Sequence, residues 1–248
     1  MNVSDFFAAH DRVALAFSGG VDSAYLLYAA IQNGVQICAY YVNSPFQPQF
    51  ELEDARRLAA QLHADMKILE LDTLCDPQIA ANPKNRCYYC KKRIFTTIAQ
   101  QAQADGFSLL MDGTNASDDL DDRPGWLAIQ ELAVRSPLRE CGLTKAEIRR
   151  LSKEAGLFTH DKPAYACLAT RIPTGQPITP EKLQATEAAE AYLFSLGFSD
   201  FRIRMDGTYG KLQLREDQLA RLLKYLEEIL SKLKQYYTSV VLDLEVRT

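Results

Sequence analysis

Ser18-Gly19-Gly20-Val21-Asp22-Ser23 brings two glycines, two hydroxyls and a carboxylate together directly after the apolar run Val13-Ala-Leu-Ala-Phe17. A glycine pair lets the backbone turn tightly enough for several N–H groups and the start of a following helix to face one anion, which is phosphate-binding chemistry. The spacing departs from two common phosphate signatures. A Walker loop needs Gly-x-x-x-x-Gly-Lys followed by Ser or Thr, and a dinucleotide fingerprint needs Gly-x-Gly-x-x-Gly. Taken alone, Ser18-Gly19-Gly20 would be a β-to-α turn with Asp22 as a helix cap. With a strand before it and Val-Asp-Ser attached, the phosphate reading prevails.

A second polar segment, Asp112-Gly113-Thr114-Asn115-Ala116-Ser117-Asp118-Asp119, follows the apolar stretch from Ser108 to Met111. It falls where open α/β sheets bind ligands, at the carboxyl ends of strands. An Asx-rich turn without function is the competing reading.

The six cysteines stand at 38, 75, 87, 90, 141 and 167. Cys87-Tyr-Tyr-Cys90 sets two thiols on adjacent helical turns, among Arg86, Lys91, Lys92 and Arg93, cations that favour thiolates. The pair suits a metal, although a lone Cys-x-x-Cys can also be a redox pair. A four-thiol zinc site needs a second such pair, and the other cysteines are single. Cys38 reads as core, and Cys75 and Cys141 lie in connections without a ligand pattern. Cys167, inside the Pro- and Gly-bounded stretch 163–175, is the chosen third ligand. Three thiolates can hold three irons of a [4Fe–4S] cluster and leave the fourth open to hydrosulfide. Spacing alone leaves cluster, zinc and unrelated thiols open.

The elements that must position these groups alternate. Val13–Phe17, Val35–Val42, Met66–Leu71 and Ser108–Met111 read as strands. Asp22–Gln32, Pro48–Leu62, Tyr88–Gln103, Ala128–Ala133 and Lys145–Lys153 read as helices. Asn33-Gly34 stops the first helix, and Thr144 with Glu147 forms a capping box for the last, which Gly156 closes. The pattern predicts an α/β fold, a doubly wound, mainly parallel sheet. Prolines 163, 173, 177 and 180 with Gly175 mark a connector. The division expected is 1–165 and 166–248. The second part reads as a smaller α+β domain, with helices Glu181–Leu196 and Asp217–Lys234 and strands Phe201–Met205, Lys211–Leu214 and Val240–Val246.

Composition narrows the class. A chain of 248 residues, 47% hydrophobic and 24% charged, is that of a packed globular protein with room for two domains. A net charge of −4 argues against a duplex nucleic-acid partner. No apolar run approaches the ~18 residues of a membrane span, and the N-terminus lacks a basic then apolar leader, so a cytoplasmic location is expected. Structural disulfides are not expected there.

The hexapeptide resembles the PP-loop of the N-type ATP pyrophosphatase superfamily, whose members adenylate a substrate and release pyrophosphate. The fold implied is adenine nucleotide α-hydrolase-like. Asn85-Arg-Cys-Tyr-Tyr-Cys-Lys91, Gly113-Thr-Asn115, Ser136-Pro-Leu138 and Ala166-Cys-Leu-Ala-Thr-Arg171 extend the likeness over nearly the whole chain, to the LarE sulfur transferases of nickel-pincer cofactor biosynthesis. What the resemblance implies is ATP and Mg²⁺ at Ser18, Gly19, Gly20, Asp22, Ser23, Gly113, Thr114 and Asn115, with Asp22 organising metal and phosphate. It implies a substrate, pyridinium-3,5-biscarboxylic acid mononucleotide, met by Arg171, Arg202 and Arg204, and Glu190 as a divalent-ion ligand. Period-two spacing puts Arg202 and Arg204 on one strand face, while two solvated arginines and an exposed helical glutamate are the plain alternatives.

The three cysteines Cys87, Cys90 and Cys167 resemble those of cluster-dependent members, with sulfide or another donor replenishing the sulfur. Cys167 also matches the cysteine that cluster-free members sacrifice. Family precedent suggests homo-oligomers. A PP-loop tRNA thiolase, a glutamine-using adenylating synthetase and a non-catalytic nucleotide-binding regulator with structural zinc stand as alternatives. The first meets the acidic charge balance, the second the lack of another catalytic domain, and the third is separated by pyrophosphate release.

Overall fold

A computed structural model describes residues 2–119 and 124–245. In chain order its elements begin with α1 (Val3–Ala8), β1 (Arg12–Ala16), α2 (Val21–Gln32), β2 (Gln36–Asn43), α3 (Gln49–Gln61) and β3 (Asp65–Glu70). They continue with α4 (Pro77–Ala80), α5 (Arg86–Ala104), β4 (Leu110–Met111), α6 (Pro124–Glu131), α7 (Pro137–Glu140) and α8 (Lys145–Glu154). The last are α9 (Pro180–Ser195), β5 (Arg202–Asp206), β6 (Tyr209–Gln213), α10 (Leu219–Lys224), α11 (Leu226–Leu233) and β7 (Ser239–Leu242). The chain divides into two compact units, one of residues 1–73 with 85–162 and the other of 74–84 with 163–248.

In the first unit the described strands form a parallel sheet in the order β3-β2-β1-β4. Its two faces follow the alternation of strand side chains. Val13, Leu15, Ile37, Ala39 and Tyr41 pack with α1, α2, α3 and α8 through Phe6, Leu26, Leu27, Leu58 and Ile148. Ala14, Cys38, Tyr40 and Val42 face the other way, onto Ile98 and Ala102 of α5. Burial on both faces explains why these strands read as apolar runs. The expected doubly wound α/β architecture is present.

The chain runs outward from β1 to β2 and β3, then returns to place β4 on the other flank of β1. The order therefore reverses between β1 and β4, and such a switch point opens a crevice at the carboxyl ends of the strands. The loops that begin at Phe17 and Asp112 leave the sheet there. β4 is short, and its line continues as Asp112 N–H donates to Arg135 O at 2.9 Å and Arg135 N–H to Leu110 O at 2.9 Å.

Local signals explain most boundaries. Thr144 and Glu147 close a reciprocal capping box at the start of α8. Asn2 and Asp5 form another on α1, an element the sequence reading omitted. The helix expected over Ala128–Ala133 starts four residues earlier, on Pro124, whose fixed φ suits a first helical position, and ends two earlier, at Glu131.

The second unit carries the sheet β5-β6-β7, antiparallel between β5 and β6 and parallel between β6 and β7. The single helix expected over Asp217–Lys234 is instead a 3-10 turn followed by α10 and α11, interrupted at Tyr225 with φ −108° and ψ 17°. The last strand ends at Leu242, and Val246 of the expected strand lies outside the described residues. Residues 74–84, read as a connection, belong to this unit. Asn82 donates from Nδ2 to the carbonyls of Ile172, Pro173 and Gln176 at 3.3, 2.9 and 3.1 Å.

Candidate phosphate-loop site

Gly19 turns the chain out of β1 with φ +72°, a conformation that glycine adopts without steric penalty. Gly20 then caps α2 in an extended conformation, and no side chain caps this helix. The loop is tied to itself instead. Ser23 Oγ donates to Gly20 O at 3.2 Å and accepts from Ser18 N–H at 3.3 Å, and the hydroxyls of Ser18 and Ser23 lie 3.1 Å apart. Gly20 N–H donates to Ser18 Oγ at 3.3 Å. A hydroxyl-braced turn leading into an uncapped helix end presents backbone N–H groups and the positive end of the helix dipole to an anion.

The Asp112 loop meets this turn directly. A Cβ on Gly113 would sit 2.9 Å from Ser23 N and 3.3 Å from Asp22 C, so the two backbones touch where only glycine fits. Asp112 is buried and holds the loop's shape. Its Oδ1 accepts from Ser136 Oγ at 2.7 Å and from Thr114 N–H at 3.2 Å, and its Oδ2 accepts from Thr114 Oγ1 at 2.5 Å. Arg139 Nη1 donates to the carbonyls of Asn115 and Asp118 at 3.4 and 3.0 Å. The Ser136-Pro-Leu138 segment thus serves as a brace behind Gly113-Thr-Asn115.

Asp22 is the meeting point. Its Oδ1 accepts from Asn115 Nδ2 at 3.3 Å, and its Oδ2 lies 2.5 Å from Lys145 Nζ. Ser18, Gly19, Gly20, Asp22, Ser23, Gly113, Thr114 and Asn115 therefore belong to one continuous patch at the switch point. Sequence reasoning missed Lys145, read only as the first residue of a helix, and Asp112 as a scaffold. On the same sheet edge a cavity of about 430 Å³ is lined by Asn43, Ser44, Pro45, Glu70, Leu71 and Asp72, beyond β2 and β3.

Cys87 and Cys90 lie in the first turns of α5, Cys87 exposed and Cys90 half-buried. Gly125 lets α6 close on this turn, since a Cβ there would lie 2.6 Å from Lys91 Cδ and 3.4 Å from Cys87 O. Of the cations expected to favour the thiolates, Arg86 donates to Cys87 Sγ at 3.7 Å, whereas Lys92 is committed to Glu131 at 2.8 Å. None of the six cysteines is in a disulfide. Among the described residues no group of three or more His, Cys, Asp or Glu side chains is arranged as a metal site.

In the second unit Cys167 is half-buried and precedes a 3-10 turn over Leu168–Arg171. Its carbonyl accepts from Thr170 N–H at 3.0 Å and Thr170 Oγ1 at 2.8 Å. Glu190 is not the exposed glutamate of the plain reading. It is buried, accepts from Arg171 Nε at 2.7 Å and from Ile203 N–H at 3.2 Å on Oε1, and from Tyr165 OH at 2.5 Å on Oε2. Burial first, then the Glu190 charge, pushes the Tyr165 hydroxyl well above its ordinary pKa, so it stays protonated and donates.

Arg171 also donates to Ala166 O at 3.1 Å. Arg202 is buried as well, donating to Phe201 O and Ala164 O at 2.5 Å each. Arg204, two residues on, is exposed and reaches Gln213 Oε1 at 3.1 Å. The two arginines expected on one face thus differ in surroundings, because the Ala164–Tyr165 segment covers the start of β5 but not its middle.

No helix among the described residues is long and apolar enough to cross a membrane. Residues 12–84 match the family described as Queuosine biosynthesis protein QueC. The chain is 37% identical to the uncharacterized protein slr1717 of Synechocystis sp., over 98% of this chain and 92% of that one. It is 32% identical to the pyridinium-3,5-bisthiocarboxylic acid mononucleotide synthase of Lactiplantibacillus plantarum, over 94% of this chain and 86% of that enzyme. Likeness to the tRNA-specific 2-thiouridylase MnmA of Frankia alni, 29% identical, covers 61% of this chain and 53% of that one. A glycine turn at the switch point of a parallel sheet, together with 32% identity over nearly the full length of a pyridinium-3,5-bisthiocarboxylic acid mononucleotide synthase, shows that this chain belongs to the LarE family of ATP-dependent sulfur transferases.

Proposed function

We propose that the chain adenylates the carboxylates of pyridinium-3,5-biscarboxylic acid mononucleotide and converts them to thiocarboxylates, a sulfur-insertion step of nickel-pincer cofactor biosynthesis. The observation that carries this reading is the Asp22 junction, where the phosphate turn, Asn115 and Lys145 converge within 3.3 Å. A carboxylate is a poor acyl donor. Attack of its oxygen on the α-phosphorus of ATP forms an acyl-adenylate and expels pyrophosphate, giving the acyl carbon a good leaving group. Hydrosulfide then attacks that carbon, the acyl–oxygen bond breaks, AMP leaves, and the thioacid loses its proton.

Backbone N–H groups at the start of α2 would bind phosphate, Asp22 would hold Mg²⁺, and Mg²⁺ would offset charge on the departing pyrophosphate. The cavity beyond β2 and β3 offers space on the same edge for the nucleoside part. Arg204 presents an exposed guanidinium suited to a substrate phosphate. Arg171 and Arg202 would act with it through the Ala164–Arg171 segment that their hydrogen bonds hold.

Cys87, Cys90 and Cys167 suit thiolate ligation of a [4Fe–4S] cluster, since none is fully buried or disulfide-bonded. Bound there, the cluster would supply hydrosulfide as the nucleophile. Glu190 meets the charge of Arg171 rather than standing open for a divalent ion. The residues 1–165 would carry ATP chemistry and 166–248 substrate handling, sulfur transfer and homo-oligomer contacts, in the cytoplasm.

The test is anaerobic purification with iron, sulfide and zinc analysis, then incubation with the dicarboxylate nucleotide, MgATP and sulfide under mass spectrometry. Substrate-dependent AMP and pyrophosphate with stepwise sulfur gain is the expected result. Absence of adenylation would remove the reading. Stoichiometric zinc without iron would remove the cluster. A chain lighter by about 34 Da after one turnover, the mass of H₂S, would favour sacrifice of a cysteine of the chain over a cluster-borne sulfur.

A further inference from the structure

We propose that Lys145 is a nucleotide-contacting residue, whose ammonium neutralises phosphate charge beside Asp22. The inference rests on reading the Ser18–Ser23 turn as an ATP site and adds a residue to it. Lys145 is 123 positions from Asp22 in sequence, yet its Nζ lies 2.5 Å from Oδ2. An ammonium has three donors, so the one directed at Asp22 leaves capacity for phosphate oxygens on the same side.

Charge supports the assignment. MgATP carries a net charge of about −2, and Asp22 adds a carboxylate at the turn, against which the end of α2 contributes only about half a positive charge. Lys145 brings a full positive charge to the carboxylate next to that helix end. Its side chain is 36% exposed and that of Asp22 22%, so the pair is reached by solvent rather than sealed in the core. An ion pair this open contributes about 0–1 kcal/mol to folding, which makes stability a weak account of its placement.

The support is rigid. The Thr144–Glu147 capping box fixes the first turn of α8, Lys145 N–H donates to Ser117 Oγ at 3.0 Å, and Ile148 is fully buried in the core. A flexible four-carbon stem on a fixed backbone lets a compact charge follow phosphate oxygens without moving the loop.

The experiment measures binding of magnesium α,β-methylene-ATP, which cannot be cleaved at the bond in question, and of adenosine, by calorimetry on the full-length wild type, Lys145→Met and Lys145→Arg. Lys145→Met is expected to weaken the nucleotide at least tenfold while adenosine binding stays within twofold, and Lys145→Arg to recover most of the loss. Equal nucleotide affinity in Lys145→Met and wild type would overturn the proposal, as would parallel loss of nucleotide and adenosine, the mark of a structural role. If the wild type binds adenosine but not the nucleotide, or neither, the ATP reading itself falls and the proposal with it.

Discussion

Arg171 and Glu190 form a two-pronged ion pair, Nε to Oε1 at 2.7 Å and Nη2 to Oε2 at 3.2 Å, with side chains only 1% and 2% exposed. The geometry is that of a guanidinium–carboxylate fork, and Tyr165 and the Ile203 amide complete the carboxylate's hydrogen bonds. Desolvating two charges consumes most of what their attraction returns, whereas removing one partner strands the other. Arg171→Met or Glu190→Gln should therefore cost about 3–5 kcal/mol of unfolding free energy, and the Arg171→Met/Glu190→Gln double variant less than the two singles combined. Urea denaturation of the four proteins measures this, and additive losses would show that the pair is not coupled.

Because Arg171 also holds Ala166 O, the same substitution should loosen the segment around Cys167. Amide exchange over residues 164–171 should quicken in Glu190→Gln more than exchange in α2, which lies in the other unit.

At Gly113 the constraint is steric. An added methyl would stand 2.9 Å from Ser23 N, closer than real contacts allow, and the atom opposing it is backbone that cannot swing away. Gly113→Ala is expected to displace the phosphate turn and lower affinity for magnesium α,β-methylene-ATP at least tenfold. Gly156→Ala is the control. It has φ +67° with nothing within 4 Å of its Cβ, so strain of about 1–2 kcal/mol should lower Tm but leave nucleotide binding intact. Equal affinities in Gly113→Ala and wild type would show that the two loops move independently.

Much of the first unit was legible because its determinants are local. Buried parallel strands read as apolar runs, Gly19 supplies the left-handed turn, and Thr144 with Glu147 announces α8. Contacts between distant positions were not legible. Nothing near Lys145 signals Asp22, and nothing near Glu190 signals Arg171, because each pairing follows from how helices pack. The Asp217–Lys234 stretch has enough apolar and charged residues for one helix, and its break at Tyr225 leaves no Gly or Pro as a mark. Period two correctly aligned Arg202 with Arg204 along β5 but could not show that residues 164 and 165 cover one of them.

Thiol chemistry should divide by burial. Desolvation raises the pKa of Cys38 above its ordinary value and does the same for Cys141, so each holds less thiolate at a given pH than an ordinary cysteine. Cys75 and Cys87 are exposed. Alkylation of the metal-free native protein by iodoacetamide near pH 7.5, followed by peptide mass spectrometry, should modify Cys75 and Cys87 first and Cys38 last. Raising the pH should speed Cys141 through a range where an ordinary thiol is already levelling off. Labelling of Cys38 as fast as Cys75 would contradict the burial assigned to β2.

The arginines of β5 separate a role in holding the chain from a role in holding the substrate. Arg202 directs its guanidinium at two backbone carbonyls, and its Cζ lies 5.1 Å from the Tyr165 ring centre, so its removal takes the partner from the buried Phe201 carbonyl, at a cost of about 1–3 kcal/mol. Arg204 is exposed, and its bonds to Gln213 and, at 3.5 Å, to Thr170 O are ones that water can replace. Arg202→Met should therefore lower Tm by several degrees. Arg204→Met should leave Tm within about 2 °C of wild type and raise KM for the phosphate-bearing substrate at least tenfold, with KM for ATP unchanged. A substrate lacking its phosphate should show no difference between wild type and Arg204→Met, because the lost interaction is then absent from both. If instead Arg202→Met keeps its Tm and raises KM, the buried guanidinium must turn outward when substrate arrives, and the Ala164–Tyr165 segment that covers it would be the part that moves.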